Sequence, residues 1–263
     1  VEKLAEQLEY TFEDYLTSHA SSSTKELYLY CVSKYLDHIS DQSPSKYNAQ
    51  AYINKLIKQG KSPSTISTRA HAILRYFKWM GESIELDCPT IRLSDPKYLS
   101  IEQVNELIDS SYGITRTLIV VLFDTAIRVS ELLNLMIEDL DTDNLIISVV
   151  RKGGKKDSVN ISRMAMDELL QWKGNRTSGK LFEGLSYTKV WILLKTLGNK
   201  HGMKLTPHVL RHSRAIHMLK EGADMYVVQQ HLGHVNIATT CLLYTSDAAD
   251  EGLGVDPRGR RFI

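Results

Sequence analysis

Cysteine is scarce in this sequence: Cys31, Cys88 and Cys241 are the three, widely spaced and odd in number. That argues against a disulfide framework, and the spacing offers no zinc-ligand pattern. Long hydrophobic runs are lacking too. The strongest, Leu118 to Phe123, has the length of a core segment and falls far short of the ~20 residues a membrane span needs. Without a signal-like N-terminus either, the expected location is cytoplasmic, with no membrane attachment. No acidic cluster of the kind that binds two metal ions is present, so no metal site is expected. Net charge is nearly absent, with 32 Lys+Arg against 31 Asp+Glu for a total of +1. Taken alone, that total argues against a nucleic-acid partner.

The distribution of charge reverses that inference. Between Asp41 and Glu82 there is no acid, while Lys46, Lys55, Lys58, Lys61, Arg69, Arg75 and Lys78 give a local +7. A second acid-free window between Glu183 and Glu221 carries Lys189, Lys195, Lys200, Lys204, Arg211, Arg214 and Lys220, again +7. Two basic surfaces on a neutral chain are the footprint of a phosphate-backbone binder, the other reading being ordinary clustering of solvated lysines. The 263 residues, 43% hydrophobic and 24% charged, have globular composition and the length of one large or two modest domains.

Periodicity organises the chain into helices and one hairpin. Four helices are expected in the first ~80 residues: Thr11 to Ser18; Ser23 to Ile39 with Leu27, Tyr30, Cys31, Tyr35 and Leu36 inward; Ala49 to Lys58 with Ala51, Tyr52, Leu56 and Ile57 inward; and Pro63 to Met80. Glu82 to Pro96 reads as irregular. Ser100 with Gln103 forms a capping-box pattern, and Thr115 to Phe123 is a strongly apolar helix. The β-branched runs Asn144 to Val150 and Ser158 to Ile161 flank Arg151-Lys152-Gly153-Gly154-Lys155, which reads as a hairpin. From Ala165 the pattern is helical to about Thr240. The expected class is mainly α with a small antiparallel β-sheet, and no internal repeat appears.

Four short segments carry candidate chemistry. Thr125-Ala126-Ile127-Arg128-Val129-Ser130-Glu131-Leu132-Leu133 puts Arg128 between apolar helices, where it needs Glu131 or an anionic ligand as partner. Lys152 sits at the hairpin tip, where a lysine is either solvated or functional. Thr206-Pro207-His208-Val209-Leu210-Arg211-His212 starts a helix with His208 and Arg211 one turn apart. A helix N-terminus plus an arginine is a ready phosphate site. His231-Leu232-Gly233-His234 places His234 after a glycine turn, as a cap or as a ligand-binding group.

In order and spacing these segments resemble the tyrosine recombinases, the phage-integrase and Xer-like family. The resemblance spans about Leu99 to Thr240, and the N-terminal helices are similar to that family's SAM-like core-binding domain. It implies a core-binding domain over 1–85, a linker over 86–98 and a catalytic domain over 99–240. Two positions depart from the family pattern: Ala126 and Arg151 each stand where glycine is usual. The resemblance implies site-specific DNA strand breakage and rejoining through a 3′-phosphotyrosyl intermediate, without metal or other cofactor. Arg128 and Arg211 are then expected on the phosphate, Lys152 as general acid for the leaving 5′-oxygen, His208 in proton transfer, His234 as a hydrogen-bond donor and Glu131 in orienting the cations. Double-stranded DNA is the expected partner, met by Lys55, Lys58, Lys61, Arg69, Arg75 and Lys78, with self-association on DNA as a tetramer. A type IB topoisomerase-like enzyme and a non-catalytic DNA-binding relative are the alternatives.

The nucleophile departs from the family register. The family's tyrosine follows the last histidine by nine residues, at Leu243 here, whereas Tyr244 comes one residue later. One residue in a helix turns a side chain by about 100°. The stretch Cys241 to Glu251 also reads as the translation of a tagmentation sequencing adapter, so 241–263 is expected to be an adapter-derived, non-native tail. The absence of an initiating Met matches a fragment open at its N-terminus. Weak or absent strand cleavage is expected of this chain, with Tyr244 its nearest candidate nucleophile.

Overall fold

The computed structural model describes residues 10–90, 98–151 and 153–233. The chain divides into two compact units, Val1–Ser94 and Asp95–Ile263. The first holds helices α1 (Phe12–His19), α2 (Ser22–Ile39), α3 (Lys46–Lys58) and α4 (Pro63–Trp79). Side-chain caps set three of the starts. The Thr11 hydroxyl accepts from the Asp14 N–H at 3.1 Å while the Asp14 carboxylate accepts from the Thr11 N–H at 3.0 Å. Ser45 and Ser62 cap α3 and α4, with Pro63 in the first turn of α4, where its missing N–H costs nothing.

The core of this unit is aromatic. Tyr35 and Phe77 are fully buried, their ring centroids 6.4 Å apart, and Tyr52 packs on Tyr35 at 5.9 Å. Burying a ring the size of Phe77 stabilises the fold by about 1.5–3 kcal/mol. The inward faces are rotated from the expected ones. Leu27, Tyr30, Ala51 and Ile57 are exposed, whereas Val32, Ile39, Ala49 and Ile53 are buried. The α2 stripe that meets α4 centres on Cys31–Val32–Tyr35, and the α3 stripe on Tyr52–Ile53–Leu56. Residues on the flank of an arc stay wet however apolar they are. The α2 cap is Ser21 rather than Ser23.

The second unit is built around one helix. After α5 (Ile101–Asp109), α6 (Gly113–Thr125) buries Leu118, Ile119, Val120, Val121 and Leu122 without a solvent face. It packs against α5, α8 (Arg163–Lys173), α9 (Tyr187–Lys200) and α10 (Pro207–Lys220). An all-round apolar helix is stable only when surrounded in this way. The Ser100–Gln103 capping box at the start of α5 is present, with reciprocal bonds of 2.9 and 3.3 Å. A short α7 (Val129–Leu133) leads to an antiparallel sheet of β1 (Leu140–Asp141), β2 (Ile146–Val150) and β3 (Lys156–Asn160), in the order β1-β2-β3. Val150 pairs with Lys156 and Ile147 with Val159. Alternation buries Ile147, Val149 and Val159. Strand β1, two residues long, lies outside the runs that the sequence marks as strands.

The helical pattern after Ala165 is interrupted into separate helices, the last of the described ones being α11 (Met225–Leu232). Helix α10 ties the start of the unit to its centre. The Leu99 N–H donates to the Ser213 hydroxyl at 2.8 Å, and His217 Nε2 lies 2.8 Å from the Leu99 carbonyl oxygen. No helix among the described residues is long and apolar enough to cross a membrane.

Gly198, inside α9, sets the approach of the chain that enters α10. A methyl group on it would stand 2.6 Å from the Leu205 Cβ and 2.6 Å from the Met203 carbonyl oxygen. Alanine adds up to ~1 kcal/mol of helix propensity, but overpacking against backbone costs roughly 1–3 kcal/mol or more. Gly198→Ala is therefore expected to lower the melting temperature, as read by circular dichroism. An unchanged or higher value would show that the 203–205 segment yields freely.

Candidate active site

Helix α6 ends at Ala126, which has φ of +49° and so turns the chain left-handed. Such a turn favours glycine, the residue usual here in the resembled family, and alanine accommodates it with modest strain. The turn delivers Arg128 as the N-cap of α7. The Arg128 backbone N–H donates to Glu131 Oε2 at 2.8 Å, and its Nη1 donates to Glu131 Oε1 at 2.8 Å. Glu131 thus closes the start of α7 and pairs with the guanidinium in one step. Its carboxylate is buried, 3% exposed, while Arg128 keeps 33% of its side chain open to solvent.

Two more arginines converge on this point. Arg211, one turn into α10, is buried and donates through Nη1 to the Ala126 carbonyl and through Nη2 to the Leu232 carbonyl. Thr206 orients that turn, its hydroxyl accepting from the Val209 N–H at 3.2 Å. Arg151, at the end of β2, donates through Nη1 to Glu131 Oε2 at 2.9 Å, through Nη2 to the His231 carbonyl at 3.3 Å and through Nε to Asp157 at 3.0 Å. Arg128 Nη2 in turn reaches the Gly233 carbonyl at 3.4 Å. Three successive carbonyls at the end of α11, those of His231, Leu232 and Gly233, thereby each accept from a different arginine.

The electrostatics follow from this crowding. Burial, reinforced by the nearby positive charges of Arg128 and Arg151 and opposed by Glu131, pulls the Arg211 pKa down to about 10. The positive charges outnumber the negative ones, so an anion at this place is favoured and a further cation is not. Burial also lowers the pKa of His212, and lowers that of His231, where the positive charges of Arg214, Arg151 and Arg211 add to it against Asp124. The Nε2 atoms of both histidines are buried without a hydrogen-bond partner among the described residues.

Of the residues singled out from sequence, the structure brings Arg128, Glu131 and Arg211 together. His208 lies in the first turn of α10 and is exposed, whereas Arg211 three residues on is buried. Lys152, His234 and Tyr244 lie outside the described residues, as does the segment 241–263. Lys152 is bracketed by described chain: the Arg151 N–H donates to the Lys155 carbonyl at 2.8 Å and the Gly154 N–H to the Arg151 carbonyl at 3.0 Å. Arg151 is the member that sequence reading missed, noted there only as a departure from glycine. No local signal marks it, because two of its partners, Glu131 and the His231 carbonyl, are distant in sequence.

The basic candidates of the first unit differ among themselves. Lys58, Lys61 and Lys78 are exposed and Arg75 is half-buried. Lys55 lies 3.1 Å from His38 Nδ1, and Arg69 donates to the Tyr52 hydroxyl. Arg69 is therefore partly engaged in the fold and less free for a ligand than the lysines.

Residues 97–251 match the phage integrase family, a match that continues past Cys241 into the segment read above as adapter-derived. The chain is 36% identical over 237 residues to the tyrosine recombinase XerA of Pyrococcus furiosus, covering 84% of this chain and 82% of that protein. It is 32% identical to the tyrosine recombinase XerD of Staphylococcus aureus, covering 86% and 88%. Among solved structures, the fold is similar to that of the XerH site-specific recombinase bound to its difH substrate, with a TM-score of 0.70 at 20% identity, covering 89% of this chain and 79% of that one.

Two expectations come from the charge arrangement. Removing the shared carboxylate by Glu131→Ala leaves Arg128 without its counter-charge and the buried Arg151 with only the more exposed Asp157, and is expected to cost about 3–5 kcal/mol in urea unfolding. A loss below ~1 kcal/mol would show that the backbone carbonyls alone hold the cluster. The buried histidines give a pH dependence. Their folded pKa values lie below the unfolded value near 6.5, so their contribution is complete above that value and is lost as pH falls from it through the folded values. The melting temperature is expected to decline between pH 7 and pH 5, and His212→Gln with His231→Gln to flatten that decline.

Proposed function

Because the chain belongs to the phage integrase family, as a tyrosine-type site-specific recombinase, we propose that the arginine cluster of the second unit receives the scissile phosphate of double-stranded DNA. The observation that carries this reading is the surplus of guanidinium charge about one buried carboxylate, aimed from three elements at a single helix end. Arg128, which keeps solvent access, and Arg211, fixed by two carbonyls, bind the non-bridging oxygens. These gain negative charge as a nucleophile adds to phosphorus, so cations already in place lower the barrier without reorganising.

The reaction balances with residues of this chain. A tyrosine oxygen attacks phosphorus and the bond from phosphorus to the 5′-oxygen breaks. His208 accepts the tyrosine proton, and Lys152 at the hairpin tip gives a proton to the departing 5′-oxygen. His234, following the Gly233 turn, donates a hydrogen bond to the phosphate. The phosphotyrosyl ester keeps the energy of the broken bond, which lets the strand rejoin without an external source. Lys55, Lys58, Lys61, Arg69, Arg75 and Lys78 of the first unit hold the DNA backbone, and protomers assemble as a tetramer on two sites because each cleaves one strand.

Tyr244 stands one position past the family register, and the adapter-like reading of 241–263 supports weak cleavage by this chain. The test is covalent capture on nicked duplexes of randomised sequence, scored on denaturing gels beside a gel-shift assay. The parent chain is expected to retard duplex DNA in a salt-dependent way but to give little covalent product. Leu243→Tyr, which restores the register, is expected to raise capture. Arg128→Ala in that background is expected to lower it about 10²–10³-fold. Strong capture by the parent that Tyr244→Phe abolishes would assign the nucleophile to Tyr244 and overturn the weak-cleavage reading.

A further inference from the structure

Arg151 occupies a position where the resembled family has glycine, yet it is almost fully buried and each of its three guanidinium nitrogens has an acceptor. Its partners belong to three different elements: Glu131 of α7 at 2.9 Å, the His231 carbonyl of α11 at 3.3 Å and Asp157 of β3 at 3.0 Å. Its own backbone closes the 151–155 turn at both ends, through Lys155 and Gly154. One residue thus joins the base of the Lys152 hairpin to the helix that carries Arg128 and to the turn that precedes His234.

A second, independent observation is steric. A methyl group on Gly233 would stand 2.9 Å from Arg151 Nε, 3.0 Å from Cζ and 3.3 Å from Cδ. The guanidinium therefore lies against the glycine Cα with no space between them. Gly233 also has φ of +60°, so the turn favours glycine there and the arginine leaves no room for a Cβ.

The charge consequence is separate from the geometric one. Without Arg151, Glu131 would direct its whole charge to Arg128, and the pair would present little net charge to a ligand. With Arg151 bound to Oε2 at 2.9 Å, the carboxylate is divided between two guanidiniums and Arg128 keeps its surplus. Asp157, 41% exposed, offsets Arg151 only partly because water screens it.

We infer that Arg151 is a positioning residue for phosphate binding: it locks the 151–155 hairpin to the ends of α7 and α11, and it withdraws Glu131 from Arg128 so that Arg128 stays available to the anion. This rests on the reading of the cluster as the phosphate site, and the test separates the two. The probe is inorganic phosphate titrated at low ionic strength into the full chain by calorimetry, with circular dichroism recording the folded fraction. Arg151→Gln keeps a donor toward Glu131 but removes the charge, Arg151→Gly restores the family residue, and Arg151→Lys keeps the charge without the fork.

Arg151→Gln is expected to weaken phosphate binding about tenfold and Arg151→Lys to recover most of that loss. A merely structural role would lower the melting temperature of both while leaving the affinity of the folded fraction unchanged. If Arg151→Gly does not fold, the Gln and Lys variants decide alone. Affinity of Arg151→Gln within twofold of the parent, with binding lost in Arg128→Ala, overturns the role of Arg151 and leaves the site standing. Unchanged affinity in Arg128→Ala overturns the site itself.

Discussion

Among the described residues no backbone N–H reaches the three carbonyls at the end of α11, and three arginines from α10, the α6–α7 turn and the β2 end donate to them instead. The helix end carries partial negative charge, so the interaction is favourable in both hydrogen bonding and electrostatics. Everything around it is arranged to bring the guanidiniums there. The left-handed turn at Ala126 offers its carbonyl to Arg211, the Thr206 cap fixes the turn from which Arg211 projects, and the hairpin delivers Arg151. Take away this one helix end and the pieces have no common point of attachment.

Holding cations with carbonyls rather than carboxylates has a specific effect. A carbonyl satisfies a donor but cancels no charge, so the guanidinium is fixed and still fully positive. The lowered pKa of Arg211, driven first by its burial, is the expense of that arrangement. It is the condition of a site that waits for an anion. Two carboxylates are the exceptions among the acceptors: Glu131, which is buried and shared between two arginines, and the more exposed Asp157, which meets Arg151 alone. The cluster is rigid without being neutralised, which is the preorganisation that phosphoryl transfer requires.

How much of this was legible in the sequence depends on whether a feature is local. The capping box at Ser100, the helix start at Pro207, the hairpin around Gly153-Gly154, the buried run Leu118–Leu122 and Glu131 as a candidate partner of Arg128 rest on neighbours within a few residues, and these are readable directly. The inward faces of α2 and α3 were misplaced because they depend on where α4 lies, and Leu27 and Ile57 are apolar yet outside that contact. Arg151 was passed over for the same reason. Its partners Glu131 and His231 are 20 and 80 residues away, and nothing in a turn of lysines and glycines reveals which cation is the buried one.

The contact of Gly233 with the Arg151 guanidinium bears on how this chain can change over time. A glycine that ends a helix with positive φ can drift to asparagine at modest cost, but here the arginine closes that route. Conversely, the arginine found its place only against a residue without a side chain. The two positions are 82 apart in sequence and in contact in space, and the dependence runs one way: residue 151 can shrink with Gly233 in place, whereas a side chain at 233 requires the Arg151 guanidinium to shift or be replaced first. A substitution tolerated in a relative with a small residue at position 151 is therefore not transferable to this chain, and the order in which the two replacements were acquired matters to whether the intermediate protein folds.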